Sequence, residues 1–233
     1  MDLKEIGRVD PNKHWYYQSK AFSLASEISR HEGRVTRILD VGAGSGFFSE
    51  HLIAERLSDS AVCVDPNYTN DQLGRRDRLT FVRSVSPGQG SATDLVLMID
   101  VLEHVDDDVA LLRTYTNVVP SRTLFLISVP AFQFMWSNHD VYLEHRRRYT
   151  RIELEQSISE AGLELLRARY IFGTFLPLAY VARKIGRQGS GETSLKNSNA
   201  FAGKVLAATA RLEERYFTNM RGGLTVLAAA RSL

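Results

Sequence analysis

Arg37-Ile38-Leu39-Asp40-Val41-Gly42-Ala43-Gly44-Ser45-Gly46-Phe47-Phe48 is the stretch that decides how this chain is read. A short apolar run ends in an acid, and three glycines follow at alternate positions. Phe47-Phe48-Ser49-Glu50-His51-Leu52-Ile53-Ala54 then carries a helical pattern. A strand, a glycine turn and a helix start together make a site for a polar ligand. Glycine permits the sharp turn and a close backbone approach, and the helix start offers N–H groups with no partner in the helix.

The flanking sequence repeats the strand–helix alternation. Residues 14–31 read as a helix with Tyr17, Ala21, Leu24 and Ile28 on one stripe and Gly33 as the stop. Strands are expected at 36–41, 61–65, 79–82, 94–100 and 123–129. The run 94–100 is apolar without alternation, as a strand covered on both faces should be. Asp106-Asp107-Asp108 caps a helix whose Val105, Val109, Leu112, Thr116 and Val119 share a face. Such alternation predicts an α/β fold with a parallel sheet, whose ligands bind at the carboxyl ends of the strands. The glycine turn, Asp65, the segment after Asp100 and the segment after Val129 should therefore meet in one crevice.

Beyond Val129 the character changes. Residues 130–149 read as a long polar and aromatic loop, which in a compact domain is usually functional. Thr150-Arg151-Ile152-Glu153 is a capping box that opens a helix ending near Gly162. A strand over 163–171, a short apolar helix over 174–184, a loop over 188–199 and a helix with Phe201, Val205, Ala208, Leu212 and Tyr216 on one face follow. A last strand is expected at 223–230.

Bulk properties bound the function. The 233 residues are 44% hydrophobic and 24% charged, enough to bury one proper core. No apolar run reaches the roughly 20 residues that span a bilayer, and Met1-Asp2-Leu3-Lys4-Glu5 has no apolar signal-peptide core. The lone Cys63 permits no internal disulfide and reads as a small buried hydrophobe, so a cytoplasmic location is expected. Residues 1–128 hold 14 basic against 18 acidic side chains, and 129–233 hold 15 against 9. The second part is therefore the one suited to an anionic partner, or it is a solvated basic face. No nucleic-acid recognition module, CxxC or HExxH pattern is present, and the histidines lack metal-ligand spacing, so neither nucleic acid nor metal is expected.

Two ligands suit a glycine turn with a downstream acid. A dinucleotide fingerprint would place its third glycine where Phe47 stands, which leaves a nicotinamide dehydrogenase as a remote alternative. Asp40-Val41-Gly42-Ala43-Gly44-Ser45-Gly46, the acid of Val64-Asp65, and Asp94–Asp100 followed by Val101-Leu102-Glu103-His104-Val105 instead resemble the class I S-adenosylmethionine-dependent methyltransferases. His139-Asp140 with His145-Arg146-Arg147-Arg148-Tyr149 is similar to a bacterial small-molecule subset. The resemblance covers about residues 14–160. It implies a three-layer Rossmann-like methyltransferase fold with a mostly parallel seven-stranded sheet and an antiparallel last strand. One domain, 1–233, would comprise an N-terminal helix or lid (14–35), a cofactor-binding core (36–129), acceptor-facing loop and helical insertions (130–222) and the last strand (223–230).

The resemblance also implies roles. Asp40 would orient the turn and the cofactor's amino group. Gly42, Gly44 and Gly46 would admit the amino acid and ribose. Asp65 would accept from the two ribose hydroxyls, unless it is only a turn former before Pro66. Asp100 and Leu102 would line the path beside the methionine part. Many relatives carry an acid just past the third strand for the adenine; here Ser84, or a backbone carbonyl, stands in. The cofactor would leave as S-adenosylhomocysteine after methylating a small, anionic or sugar-linked acceptor.

On the acceptor side, His139, His145 and His104 are the candidate bases, with Asp140 as an orienting partner, and His139 is preferred. Trp15, Tyr16, Trp136, Arg146, Arg147 and Tyr149 are the candidate substrate contacts. Consecutive arginines cannot all face one way, so one or two should meet solvent or core acids. Residues 174–185 are a candidate cover for the pocket, a dimer interface or a peripheral membrane contact, with core packing as the plainer reading. The oligomeric state, homodimer included, stays open. A cofactor-binding scaffold without catalysis is the second reading.

Overall fold

Apolar residues at alternate positions of the predicted strands separate into two cores, one on each face of a sheet. In the computed structural model, which describes residues 10–185, 200–217 and 220–233, Ile38, Ala61, Cys63, Leu95, Leu97 and Ile99 pack into one core. Leu39, Val41, Val62, Val64, Val96 and Met98 pack into the other. A parallel strand covered on both faces produces that division. The first core is closed by α1 (Trp15–His31) and α2 (Phe47–Ala54), the second by α4 (Asp108–Thr116) and α6 (Arg151–Glu160).

The strands are β1 (Arg37–Val41), β2 (Ser60–Val64), β3 (Gly74–Arg76), β4 (Leu79–Val82), β5 (Leu95–Ile99), β6 (Leu124–Pro130), β7 (Leu163–Ile171) and β8 (Thr225–Ser232). Their order is β3-β4-β2-β1-β5-β6-β8-β7. Strands β4, β2, β1, β5 and β6 run parallel, and β8 inserts antiparallel between β6 and β7. The expected fold class is the observed one. The eighth strand is β3, three exposed residues hairpinned onto β4. Gly74-Arg75-Arg76 carries no apolar alternation, so nothing in it signals a strand.

The chain leaves β1 toward β2 on one side and returns as β5 on the other, so the crevice opens at the carboxyl ends of β1 and β5. Backbone strain gathers at this end of the sheet. Asp100 after β5, Phe132 after β6 and Phe172 after β7 all hold positive φ, at 56°, 60° and 62°. Non-glycine residues adopt that region at a cost, and such residues cluster where a ligand is bound.

Local signals account for most element ends. The Thr150 side chain accepts from the Glu153 N–H, and Glu153 accepts from the Thr150 N–H at 2.7 Å. Asp107 caps α4 by accepting from Ala110 N–H at 2.8 Å. Tyr17, Ala21, Leu24 and Ile28 of α1 are all buried. The stripe expected on the last helix is not the packed one. In α8 (Ala200–Tyr216), Val205, Leu212 and Tyr216 are exposed, whereas Ala210, Glu213 and Glu214 are buried. Specific donors hold the two acids there. Glu214 accepts from Ser23 Oγ and Arg169 Nη2 at 2.7 and 2.6 Å. Glu213 accepts from the Gly173 and Thr174 N–H groups. Glu27 on α1 meets Arg169 Nε at 2.9 Å, so one buried ion network ties α1, β7 and α8 together. The loop expected over 188–199 lies outside the described residues.

Candidate active site

The glycine turn fills the mouth of β1. Gly42, Gly44 and Gly46 hold φ of 65°, 55° and 76°. A Cβ on Gly42 would come within 2.6 Å of Val101 Cγ2, so the turn is pressed against the segment after β5. Tyr68 Oη donates to the Gly44 carbonyl at 2.7 Å and holds the turn from outside. Ser45 Oγ is buried with no partner among the described residues. Asp40 lies beneath the turn, accepting from Ser49 Oγ at 2.7 Å. Burial pushes its carboxyl up to about 6, against the pull of Ser49. Asp65 is buried at the end of β2 and accepts from the Asn67 N–H at 2.9 Å. Ser84 is exposed just beyond β4. Leu102 is buried in the second core, with its carbonyl rather than its side chain near Tyr149. Phe47 fills the place of a third Rossmann glycine, packed against Phe48 and Tyr17. A cradle that a Cβ would fill, an orphaned hydroxyl in the turn and two acids on adjacent strands suit a cofactor with an amino acid end and a ribose.

Asp100 closes the crevice from the side of β5. Its carboxylate accepts from Lys20 Nζ at 2.5 Å and from Ser128 Oγ at 3.1 Å. Burial alone would raise Asp100; the Lys20 charge outweighs it and holds the carboxyl below the usual range. Lys20 is fully buried on α1, and Asp100 keeps it ionised despite that burial. Its ammonium also sits 4.7 Å from the Tyr16 ring centroid. Tyr16 in turn stacks on Phe172 and reaches Thr225. Trp15, by contrast, is buried among Phe172 and Phe175. Lys20 carried no motif; a lysine one turn beyond an aromatic residue on an amphipathic helix looks like surface.

The segment 130–149 is more structured than a loop. A 3₁₀ turn at Gln133–Met135 and helix α5 (Asn138–Tyr142) occupy it, and Tyr149 returns to bridge Ala131. Asp140 caps α5 and is fully buried, accepting from Ser137 N–H at 2.8 Å, His145 Nδ1 at 2.9 Å and Arg148 Nε at 2.7 Å. Burial would raise this carboxyl, but the His145 and Arg148 bonds outweigh it and hold it low. Asp140, expected to orient one of the candidate bases, is bonded to His145. His139 lies partly buried on α5, and Trp136 is half-buried just before it.

The basic run divides its work. Arg146 Nε donates to the His104 carbonyl at 2.8 Å and pairs with Asp106. Arg147 donates to the Val105 and Asp106 carbonyls. The Tyr149 hydroxyl is buried within reach of Asp108 and the Leu102 carbonyl. These three side chains brace the segment after β5. The cation aimed into the site comes from elsewhere. Arg183, on α7 (Leu176–Ile185), has a buried Nη1 with no partner among the described residues. Burial and then the nearby Arg148 lower its guanidinium to about 10, and the fields of Asp140 and Tyr16 reach it. Helix α7 thus turns Arg183 inward while Leu178 and Val181 stay exposed.

The profile of the methyltransferase domain family matches residues 14–168. The chain belongs to that family. A ubiquinone biosynthesis O-methyltransferase of Methylocella silvestris is 34% identical over 87 residues, a match that covers 33% of this chain and 33% of the relative. A solved S-adenosylmethionine-dependent methyltransferase of Archaeoglobus fulgidus superposes with a TM-score of 0.58 over 98% of this chain and 97% of that one, at 17% identity. A phosphoethanolamine N-methyltransferase of Haemonchus contortus, solved with S-adenosyl-L-methionine, gives a TM-score of 0.55 over 91% of this chain and 52% of that one, at 16% identity. At such identities the structural likeness is one of fold. Among the described residues no helix is long and apolar enough to cross a membrane.

Proposed function

We propose that the protein transfers a methyl group from S-adenosylmethionine to a small acceptor that carries a negative charge, free or attached to a sugar. The observation that carries the acceptor class is Arg183, a partly buried guanidinium near Arg148 and Tyr16 whose Nη1 is buried with no partner among the described residues. Leaving such a donor unsatisfied is costly, and a planar fork suits a carboxylate or phosphate. The basic balance of residues 129–233 favours the same class.

When bound, the cofactor supplies an electrophilic sulfonium methyl. The chain's own part is to position and to exclude water. The backbone at Gly42, Gly44 and Gly46 receives the amino acid and ribose, with Asp40 beneath the turn and Asp65 accepting from ribose hydroxyls. Ser84 lies on the adenine side. Asp100, held by Lys20, flanks the methionine part, and the Leu102 backbone continues that wall. Tyr16 and Trp136 border the acceptor. His139 and the Asp140-oriented His145 are the groups that take a proton from an oxygen acceptor, since an imidazole titrates near neutral pH.

The test has two arms. Calorimetry with S-adenosylmethionine and S-adenosylhomocysteine should show binding to the wild type. Turnover on matched acceptors should favour anionic over neutral isosteres by 10-fold or more in kcat/KM. His139→Ala should keep cofactor affinity and lose turnover on oxygen acceptors. Equal turnover of charged and neutral isosteres would remove the acceptor class, and absence of cofactor binding would remove the whole reading.

A further inference from the structure

Glu103 is the most exceptional side chain in the molecule. It is fully buried, yet neither Oε1 nor Oε2 has a hydrogen-bond partner among the described residues. A neutral Glu103 would still leave its O–H with no acceptor, so neither protonation state is satisfied. The nearest cations are engaged elsewhere: Lys20 is bonded to Asp100 and Arg148 to Asp140.

Two imidazoles stand beside it. One ligand atom each from Glu103, His104 and His145 lies within 4.8 Å of the others. The rings of His104 and His145 meet edge-on, with centroids 4.8 Å apart. His145 is also oriented as a ligand would be. Asp140 already accepts from the Ser137 N–H and Arg148 Nε, so His145 Nδ1 is the donor in its bond to that carboxylate, and the Nε2 lone pair is left for another partner. A carboxylate that fixes the outer nitrogen of a histidine is the usual support of a metal ligand.

We infer that Glu103, His104 and His145 form a binding site for a divalent first-row transition cation, held by two nitrogens and one carboxylate oxygen. Imidazole with a single carboxylate suits zinc or iron(II) better than magnesium or calcium, which take oxygen ligands. Bonds of about 2.0–2.1 Å bring tetrahedral donors roughly 3.3 Å apart, so closure needs rotamer adjustments that shorten the separations by up to about 1.5 Å. Three protein ligands leave at least one position open. The 40 residues between His104 and His145 explain why no motif shows the site. A cation here would commit His145 as a ligand and leave His139 as the base; that role rests on the reaction proposed above, whereas cation binding does not.

The experiment uses the full chain, treated with a chelator and then offered Zn²⁺ or Co²⁺. Wild type should retain about one equivalent through gel filtration, and Co²⁺ should give a visible absorption band. Glu103→Gln and His145→Ala should each weaken Zn²⁺ binding by at least 10-fold, with His51→Ala unchanged. Circular dichroism shows whether each variant is folded. Diffraction from wild-type crystals grown with Zn²⁺ needs no variant: an anomalous peak among the three side chains is expected, and a water there would overturn the site. Retention below a tenth of an equivalent, or full affinity in Glu103→Gln, would also overturn it. Loss of cofactor binding or turnover would bear on the reaction alone.

Discussion

The two sides of the crevice are built in different ways. On the cofactor side, Asp40, Gly42, Gly44 and Gly46 are neighbours in sequence, and Asp65 follows one strand later. In the proposed function a backbone turn does the binding, and short-range spacing fixes it. On the acceptor side, Tyr16, Lys20, Asp100, Glu103, His145 and Arg183 come from four separate segments. Side chains do the work there, and each is useful only because another element faces it. A backbone site is therefore read from a motif, whereas a side-chain site depends on which elements come together.

The largest way to break this comparison is to disturb the turn. Gly42→Val combines a positive φ with a Cβ 2.6 Å from Val101. It should cost about 2–4 kcal/mol in thermal unfolding and weaken cofactor binding by more than about 100-fold. The same substitution at exposed Gly88, where a Cβ meets nothing, should change neither. A stable Gly42→Val would mean that the turn is not the rigid half.

Next comes the seam between the two sides. Asp100→Asn leaves Lys20 buried without a counter-charge. Removing one partner of a buried pair costs about 3–5 kcal/mol, and the partial exposure of Asp100 should reduce that to about 2–3. Lys20→Met with Asp100→Asn should recover at least half in the same denaturation curves. An additive double variant would show that α1 is not tied to β5 through this pair.

A smaller pair of effects separates the halves directly. Asp65→Ala should weaken S-adenosylmethionine binding by about 10–100-fold, the worth of hydrogen bonds to a charged acceptor. Arg183→Met should leave that affinity within about 2-fold and raise the acceptor KM by about 10-fold. Calorimetry and steady-state kinetics would read the two, and crossed effects would mean that the sides are one site.

The smallest effect is on pH. Asp40 has its native carboxyl raised to about 6, so it favours the protonated native state. That stability is present below pH 4 and is lost as pH rises through about 6. In the cofactor-free protein, the Tm of Asp40→Asn minus that of wild type should grow between pH 4 and pH 7. A constant difference would show that Asp40 is not buried as the structure has it.

Much of the architecture was legible from local patterns. Apolar runs marked the long strands, Thr150 and Glu153 marked α6, and the alternate glycines marked the turn. Two short elements were not. β3 has no apolar residue to announce it, and α5 sits within a run of polar and aromatic residues. The packed face of α8 was also hidden, because Glu213 and Glu214 are held inside by Arg169 and by backbone donors that no helical wheel contains. Among site residues, Arg146 and Arg147 drew notice for their charge and turned out to brace residues 103–108. Lys20, Glu103 and Arg183 looked ordinary.

The sequence by itself determined the fold class, the position of the cofactor turn and the ends of most elements. Hydrophobic period and glycine placement act over a few residues, and those distances are visible along a chain. Only the tertiary structure decided that Asp140 orients His145, that Lys20 holds Asp100, that Glu103 is buried, and that Arg183 turns its Nη1 inward. Burial is a property of all the elements that surround a residue, and a charged side chain gains its chemistry from the partners that burial leaves it.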